Sequence, residues 1–156
     1  MSARAERPPH AAYAGIVATF GGLLATVGAL GRALDRDPQC QSALDLAVLS
    51  AATFKAARTL ARDDVTSFIR QPFVRGEAGT GGDEEPVATG GLDQAIGELV
   101  TCTRCVGTWA AAGLASTQIL APRFGRLLTW SLGAAAANDF LQAGFVALTG
   151  KANERG

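Results

Sequence analysis

Residues 11–31 hold no charged side chain: AAYAGIVATFGGLLATVGALG. At about 1.5 Å per residue, a helix of this run spans roughly 30 Å, the thickness of a bilayer's hydrocarbon core. Tyr13 stands near one end, where aromatic rings favour the membrane–water interface. Arg4 and Arg7 precede the run, as they would in a cleaved signal peptide. The run is long for the apolar part of a signal, and further apolar segments follow it.

Three more segments read as helices. Residues 43–61 (ALDLAVLSAATFKAARTLA) are apolar in their first half. Lys55, Arg58 and Arg62 lie at i, i+3 and i+7 and form one basic stripe, able to snorkel toward headgroups. Residues 106–121 are uncharged and end at Pro122, because proline cannot continue a helical hydrogen-bond ladder cheaply. Residues 127–148 carry one charge, Asp139. Gly and Ala are dense in the first, third and fourth segments. In lipid, where close packing drives association, Gly21, Gly22, Gly28 and the run 133–137 are candidate contact faces.

The expected fold is therefore all-α: a four-span helical membrane bundle with a cytoplasmic middle segment. The spans are 11–31, 43–61, 106–121 and 127–148. The segment 62–105 and the tails 1–10 and 149–156 are cytoplasmic. That orientation gathers ten cations on one side of the bilayer and leaves four on the other (Arg32, Arg36, Arg123 and Arg126), as the positive-inside rule requires. A soluble alanine-rich bundle is the alternative. It should carry polar faces on every helix, and the first and fourth helices have almost none.

Composition fits this picture. Forty-eight per cent of residues are apolar and 18% are charged, against a usual charged share of about 25%. The net charge is zero, which excludes nucleic-acid binding driven by bulk positive charge. Three cysteines are too few for a secreted disulfide scaffold.

In the middle segment, Phe68, Ile69, Phe73 and Val74 are apolar among arginines. That suits a stretch lying along a membrane surface or an ordinary ordered loop. Thr66 or Ser67 can satisfy backbone groups freed where the second helix ends near Asp63 or Asp64. Residues 76–91 (GEAGTGGDEEPVATGG) read as a flexible solvated linker. No Gly-Lys-Ser/Thr follows these glycines and no strand precedes them, so they are not a phosphate loop. Asp83, Glu84 and Glu85 are expected to be solvated rather than to bind a cation.

Helical periodicity resumes at Leu92. If one helix runs from there into the third span, Glu98, Cys102, Cys105 and Trp109 share a face at i, i+4, i+7 and i+11. Cys102-Thr103-Arg104-Cys105 has three competing uses. The thiols can pack as small hydrophobes. They can cycle between dithiol and disulfide, with Arg104 favouring thiolate. They can supply two ligands to zinc or another soft metal, with Glu98 or a second protomer completing the shell. Simple packing is preferred, and no cofactor is required. His10 is far away in sequence, and Cys40 is expected on the opposite side of the membrane. Asp139 should face the bundle interior, because a lone carboxylate in lipid is costly. It is expected to pair with Lys55 or Arg58 or to hydrogen-bond beside Asn138, an interhelical ion pair being preferred to a proton or ion relay. The only histidine lies in the N-terminal tail, which leaves no Ser-His-Asp set.

The pattern Thr53-x-Lys55-x-x-Arg58, Val65-Thr66-Ser67, Arg70-x-Pro72-Phe73, Glu84-Glu85-Pro86 and Gly97-Glu98-Leu99-x-x-Cys102-x-x-Cys105-x-Gly107-x-Trp109, with Asp139-Phe140 in the last span, resembles a family of small bacterial membrane proteins. That family is the domain of unknown function 1360. The resemblance implies a bacterial multi-span membrane protein and no particular activity. Where the family pattern has Pro-Phe between the cysteines and Leu-Gly after them, this chain has Thr103-Arg104 and Val106-Gly107.

Two functions follow as expectations. The first is a non-enzymatic membrane component that binds lipid, a second copy or a membrane partner. The second is a membrane dithiol oxidoreductase or metal-binding protein built on Cys102 and Cys105. The expected polar surface combines Lys55, Arg58, Thr66, Arg70, Glu98 and Asp139 with that pair.

Overall fold

A computed structural model describes residues 8–36, 42–79 and 84–153. Cys40, Asp83, Arg4, Arg7 and Arg155 lie outside them.

Helix α1 (His10–Ala33) ends where Asp35 adopts a left-handed φ of 51° and Arg36 N–H donates 2.8 Å to the Gly31 carbonyl. Such wrapping satisfies carbonyls that have no partner in the last turn. Helix α2 (Ala43–Arg62) opens with a reciprocal cap. Asp45 N–H donates to Ser42 Oγ at 3.2 Å, and Ser42 N–H donates to Asp45 Oδ2 at 3.1 Å. Two 3₁₀ turns and the short α3 (Ser67–Arg70) follow. A minimal antiparallel pair comes next, β1 (Val74–Arg75) with β2 (Glu85–Pro86), in which Val74 faces Pro86 and Arg75 faces Glu85. Helix α4 (Leu92–Thr101) precedes α5 (Thr103–Leu120) and α6 (Pro122–Asn153). Pro122 therefore closes α5 and also opens α6, where its missing N–H costs nothing in the first turn.

The long helices alternate in direction. Phe20 meets Trp109 edge-on at 5.0 Å and Gly31 approaches Ile119, so α1 and α5 run parallel. Val48 lies against Gly133 and Phe54 stacks on Phe140 at 5.5 Å, so α2 and α6 run parallel. A tight corner makes α5 and α6 antiparallel. Gln118 Nε2 donates 2.9 Å to Thr129 Oγ1, which in turn donates 2.8 Å to the Gly125 carbonyl. As a result, the start of α1, the end of α2, α4, the start of α5 and the far half of α6 gather at one end of the bundle.

The interior is made of small side chains. The buried apolar residues are Ala52, Ala57, Ala61, Val74, Ala95, Val106, Leu114 and Ala136. A Cβ on Gly133 would sit 3.0 Å from Val48 Cγ1 and 3.2 Å from its carbonyl oxygen, so α2 and α6 approach as closely as their backbones allow. Large apolar side chains point outward. Phe140, Leu141, Phe145, Val146 and Leu148 on α6 are between 64% and 73% exposed. Val17, Leu23, Leu24 and Leu30 on α1 are also exposed.

Four expectations change. The stretch from Leu92 is not one helix. Cys102 takes an extended backbone (φ −93°, ψ 103°) between α4 and α5, and Thr101 Oγ1 turns back to the Gly97 carbonyl at 2.8 Å. The linker 76–91 is structured at both ends, because β2 pairs with β1 and Glu84 is held by Arg70. Helix α6 outruns the expected 127–148 at both ends. Among the described helices, α1 alone is long and apolar enough by length and composition to cross a membrane. The others fall short in length or in mean hydropathy. The mostly helical character expected of the chain holds.

Candidate functional site

The polar end of the bundle is organised by Arg70, whose side chain is fully buried. It sits on α3, which the turn after α2 folds back beneath the end of that helix. Its Nε and Nη2 donate to Glu84 Oε2 and Oε1 at 2.8 and 2.9 Å, a two-pronged pair that matches the planar fork of the guanidinium. Nη1 donates to the Leu60 carbonyl at 2.9 Å, the Asp63 carbonyl at 3.2 Å and Thr66 Oγ1 at 2.9 Å. Thr66 Oγ1 also donates to the Thr59 carbonyl and, at 3.0 Å, to that of Asp63. A cation and a hydroxyl thus close the C-terminus of α2, where the helix dipole is negative and carbonyls lack partners. Glu84 also accepts the Gly79 N–H at 3.0 Å. The hydrogen bonds from Arg70 hold the Glu84 carboxyl below the usual carboxylate range, and the same pairing raises the guanidinium.

The hairpin made by β1 and β2 rests on α4 because position 97 is glycine. A Cβ there would stand 2.5 Å from the Phe73 carbonyl oxygen and 3.1 Å from Pro86. That carbonyl also accepts the Val87 N–H at 3.0 Å. One turn of α4 therefore clamps the hairpin that carries Glu84 to Arg70.

Glu98 ties α4 to α1. The Tyr13 hydroxyl donates to Glu98 Oε2, and Gln94 Nε2 donates 2.9 Å to Oε1. Lys55 Nζ lies 2.7 Å from Asp139 Oδ2 and joins α2 to α6, with both side chains only partly exposed. Arg58 is exposed and has no ion pair among the described residues.

Cys102 occupies the position before α5, and its Sγ accepts the Cys105 N–H at 3.3 Å. Both thiols are free and reachable, with Cys105 the more exposed. The hydrogen bond from the Cys105 thiol is the largest influence holding the Cys102 thiol below its ordinary value, with backbone N–H groups and Arg104 adding to it. Among the described residues, no group of three His, Cys, Asp or Glu side chains is placed to hold a metal ion, so two thiols would fill only half of a zinc shell.

Of the residues expected to form one polar surface, all but Arg58 fall into four separate arrangements. Thr66 and Arg70 act together, Lys55 meets Asp139, Cys102 meets Cys105, and Glu98 reaches Tyr13 and Gln94. Three side chains outside the expected set take part, Glu84, Tyr13 and Gln94, together with the carbonyls of Thr59, Leu60 and Asp63. A signal for Glu84 existed. An arginine flanked by Phe68, Ile69, Phe73 and Val74 cannot be buried without a carboxylate, and residues 83–85 are the nearest acidic run downstream.

At the other end of the bundle, a cavity of about 580 Å³ is lined by Gly28, Gly31, Arg32, Arg36 and Ile119, among others. Among the described residues its lining holds two arginines and no carboxylate.

No curated protein and no solved structure matches the chain. A family model matches residues 48–145, which hold the arginine-capped end of α2, the hairpin, the cysteine pair and Asp139. Its description is "protein of unknown function (DUF1360)", and the chain belongs to that family.

Proposed function

We propose that the chain is a four-span helical component of a bacterial cell membrane. In this reading α1, α2, α5 and α6 cross the bilayer, and both termini and the middle segment lie in the cytoplasm. Its role is non-enzymatic: it holds lipid on its outer surface and a second copy against α1. One observation carries the proposal, the partition of side-chain size. Alanine makes up five of the eight buried apolar residues and glycines are buried at helix contacts, while Leu, Phe and Val of α1 and α6 point outward. Water drives large apolar groups inside, whereas lipid leaves them at the surface and selects small residues where helices touch.

Two further features support it. The alternating helix directions gather residues near both ends of the described chain and the described parts of the polar middle segment at one end of the bundle. Also, Gly15, Gly21, Gly22 and Gly28 of α1 have open space where a Cβ would be, so the small face of α1 is spare for another helix. Exposed Arg58 and Arg62 lie at the polar end, within reach of anionic headgroups. Lys55, expected in the same stripe, is turned toward Asp139.

The test is partition and topology of the full chain. It should stay with membranes through alkaline carbonate washing and need detergent for extraction. Reporters fused ahead of α1, after Gly76 and after α6 should all report cytoplasm. A monodisperse, folded monomer in amphiphile-free buffer would overturn the proposal. Replacing Arg58 and Arg62 with Gln should weaken binding to phosphatidylglycerol vesicles and leave binding to neutral vesicles unchanged.

A further inference from the structure

We propose that Cys102 and Cys105 form a thiol–disulfide exchange site in which Cys102 is the attacking sulfur and Cys105 the resolving one. The site stands independently of whether the helices cross a membrane.

The break between α4 and α5 creates it. Within a continuous helix, side chains three apart have Cβ atoms about 5–6 Å apart, too far for the roughly 3.5–4.5 Å of a disulfide. Cys102 has left the helical conformation, and its sulfur folds over the first turn of α5 to reach the Cys105 N–H at 3.3 Å. The two thiols are thereby brought toward bonding geometry without unwinding α5. The same placement separates their roles. Cys102 Sγ sits at the positive end of an 18-residue helix with no acidic residue in its first turn, and Arg104 adjoins it. Those surroundings favour a thiolate, the form that attacks. Cys105 lies within the helix and is exposed, able to attack a sulfur held on Cys102. Nothing else in the described structure uses either thiol: neither belongs to the buried core, and no third ligand joins them.

The co-reactant is a disulfide of a small thiol or a peptide. The Cys102 thiolate attacks one of its sulfurs, the Cys102–sulfur bond forms, the original S–S bond breaks, and the first thiolate leaves and takes a proton from water. Cys105 gives its proton to water and attacks Cys102 Sγ, the Cys102–Cys105 bond forms, and the second thiolate leaves and takes a proton from water. The chain loses two electrons and two protons, and the co-reactant becomes two thiols. Run backwards, the same steps oxidise a dithiol partner.

The experiment uses the full chain in detergent with Cys40→Ser, equilibrated in mixtures of reduced and oxidised glutathione, quenched in acid and read by mass after alkylation. A single two-electron transition to a Cys102–Cys105 disulfide is expected. The Cys105→Ser variant should accumulate glutathione on Cys102 at least about tenfold faster than Cys102→Ser accumulates it on Cys105, since only the first keeps the activated thiol. Three outcomes would overturn the proposal: no internal disulfide at any glutathione ratio, equal trapping by the two variants, or stoichiometric zinc retained by the reduced chain that blocks oxidation. The first and third need no variant of the pair, so the result stands even where a substitution disturbs folding.

Discussion

Lys55 Nζ and Asp139 Oδ2 meet at 2.7 Å between two helices that also touch through Val48 against Gly133 and Phe54 against Phe140. A pair in such surroundings stabilises only while both charges are present, because either one alone must be desolvated without return. Asp139→Leu should therefore cost about 1–3 kcal/mol in mixed-micelle unfolding, a modest figure for a lone charge at depth because both side chains retain some exposure. Lys55→Met with Asp139→Leu should recover most of that loss. If the double variant is as unstable as the single, the pair does more than neutralise itself.

Arg70 offers a sharper case, since it satisfies Glu84 and the end of α2 together. Lysine has no planar fork and cannot reach both, so Arg70→Lys should cost about 2–4 kcal/mol despite keeping the charge. The pH dependence follows from the lowered Glu84 carboxyl. The unfolded chain binds this proton more readily than the folded one, so the contribution is fully present above the ordinary carboxyl value of 4.5 and is lost as pH falls through the lower folded value. Thermal melts from pH 7 down to about pH 3 should show this acid-side loss in the natural chain. In Glu84→Gln the loss should be smaller, from a lower starting stability.

Some of this was readable in the residues. A carboxylate inside an apolar helix needs a cation, and only Lys55 and Arg58 stand in apolar surroundings on another helix; distance then selects Lys55. Pro122 marks the corner between α5 and α6 because proline can begin a helix but not continue one. The break at Cys102 was not readable. It lies in Val-Thr-Cys-Thr-Arg-Cys with no glycine or proline, and it forms because a thiol, a modest cap by itself, lies where the hairpin and α1 fix the course of α4. The contacts Arg70–Glu84 and Tyr13–Glu98 are 14 and 85 residues apart and obey no helical spacing. The first depends on where the hairpin rests, which the missing side chain at Gly97 permits, and the second on where α1 lies against α4.

That position makes its own prediction. Gly97→Val would push a branched side chain against the Phe73 carbonyl oxygen, which already stands where a Cβ would need to be. The flexible end of a side chain could yield, but a backbone carbonyl that also accepts the Val87 N–H cannot. The hairpin should lift from α4 and release Glu84 from Arg70. Limited proteolysis should then cut between β1 and β2 at least about tenfold faster, while helical content changes little. Unchanged cutting would mean that the hairpin is held by something other than its seat on α4.

Helix α1 provides the test of self-association. Ala11, Gly15, Ala18, Gly22, Ala25 and Ala29 are exposed and recur at alternating spacings of four and three, the seam along which two helices pack. Beyond the local turn of α1, no atom of the described residues lies within 4 Å of a Cβ placed on Gly15 or Gly22. Leucine at both sites meets nothing internally and is a better helix former than glycine, by about 0.5–1 kcal/mol at each site. The chain with Gly15→Leu and Gly22→Leu should be at least as stable as the natural one. Its association in liposomes, measured by energy transfer between labelled copies, should nonetheless fall at least about tenfold, because backbones held apart by leucine lose the contacts that small residues permit. Equal transfer in both chains would place the second copy elsewhere on the bundle, and equal transfer at every protein-to-lipid ratio would mean that no second copy binds.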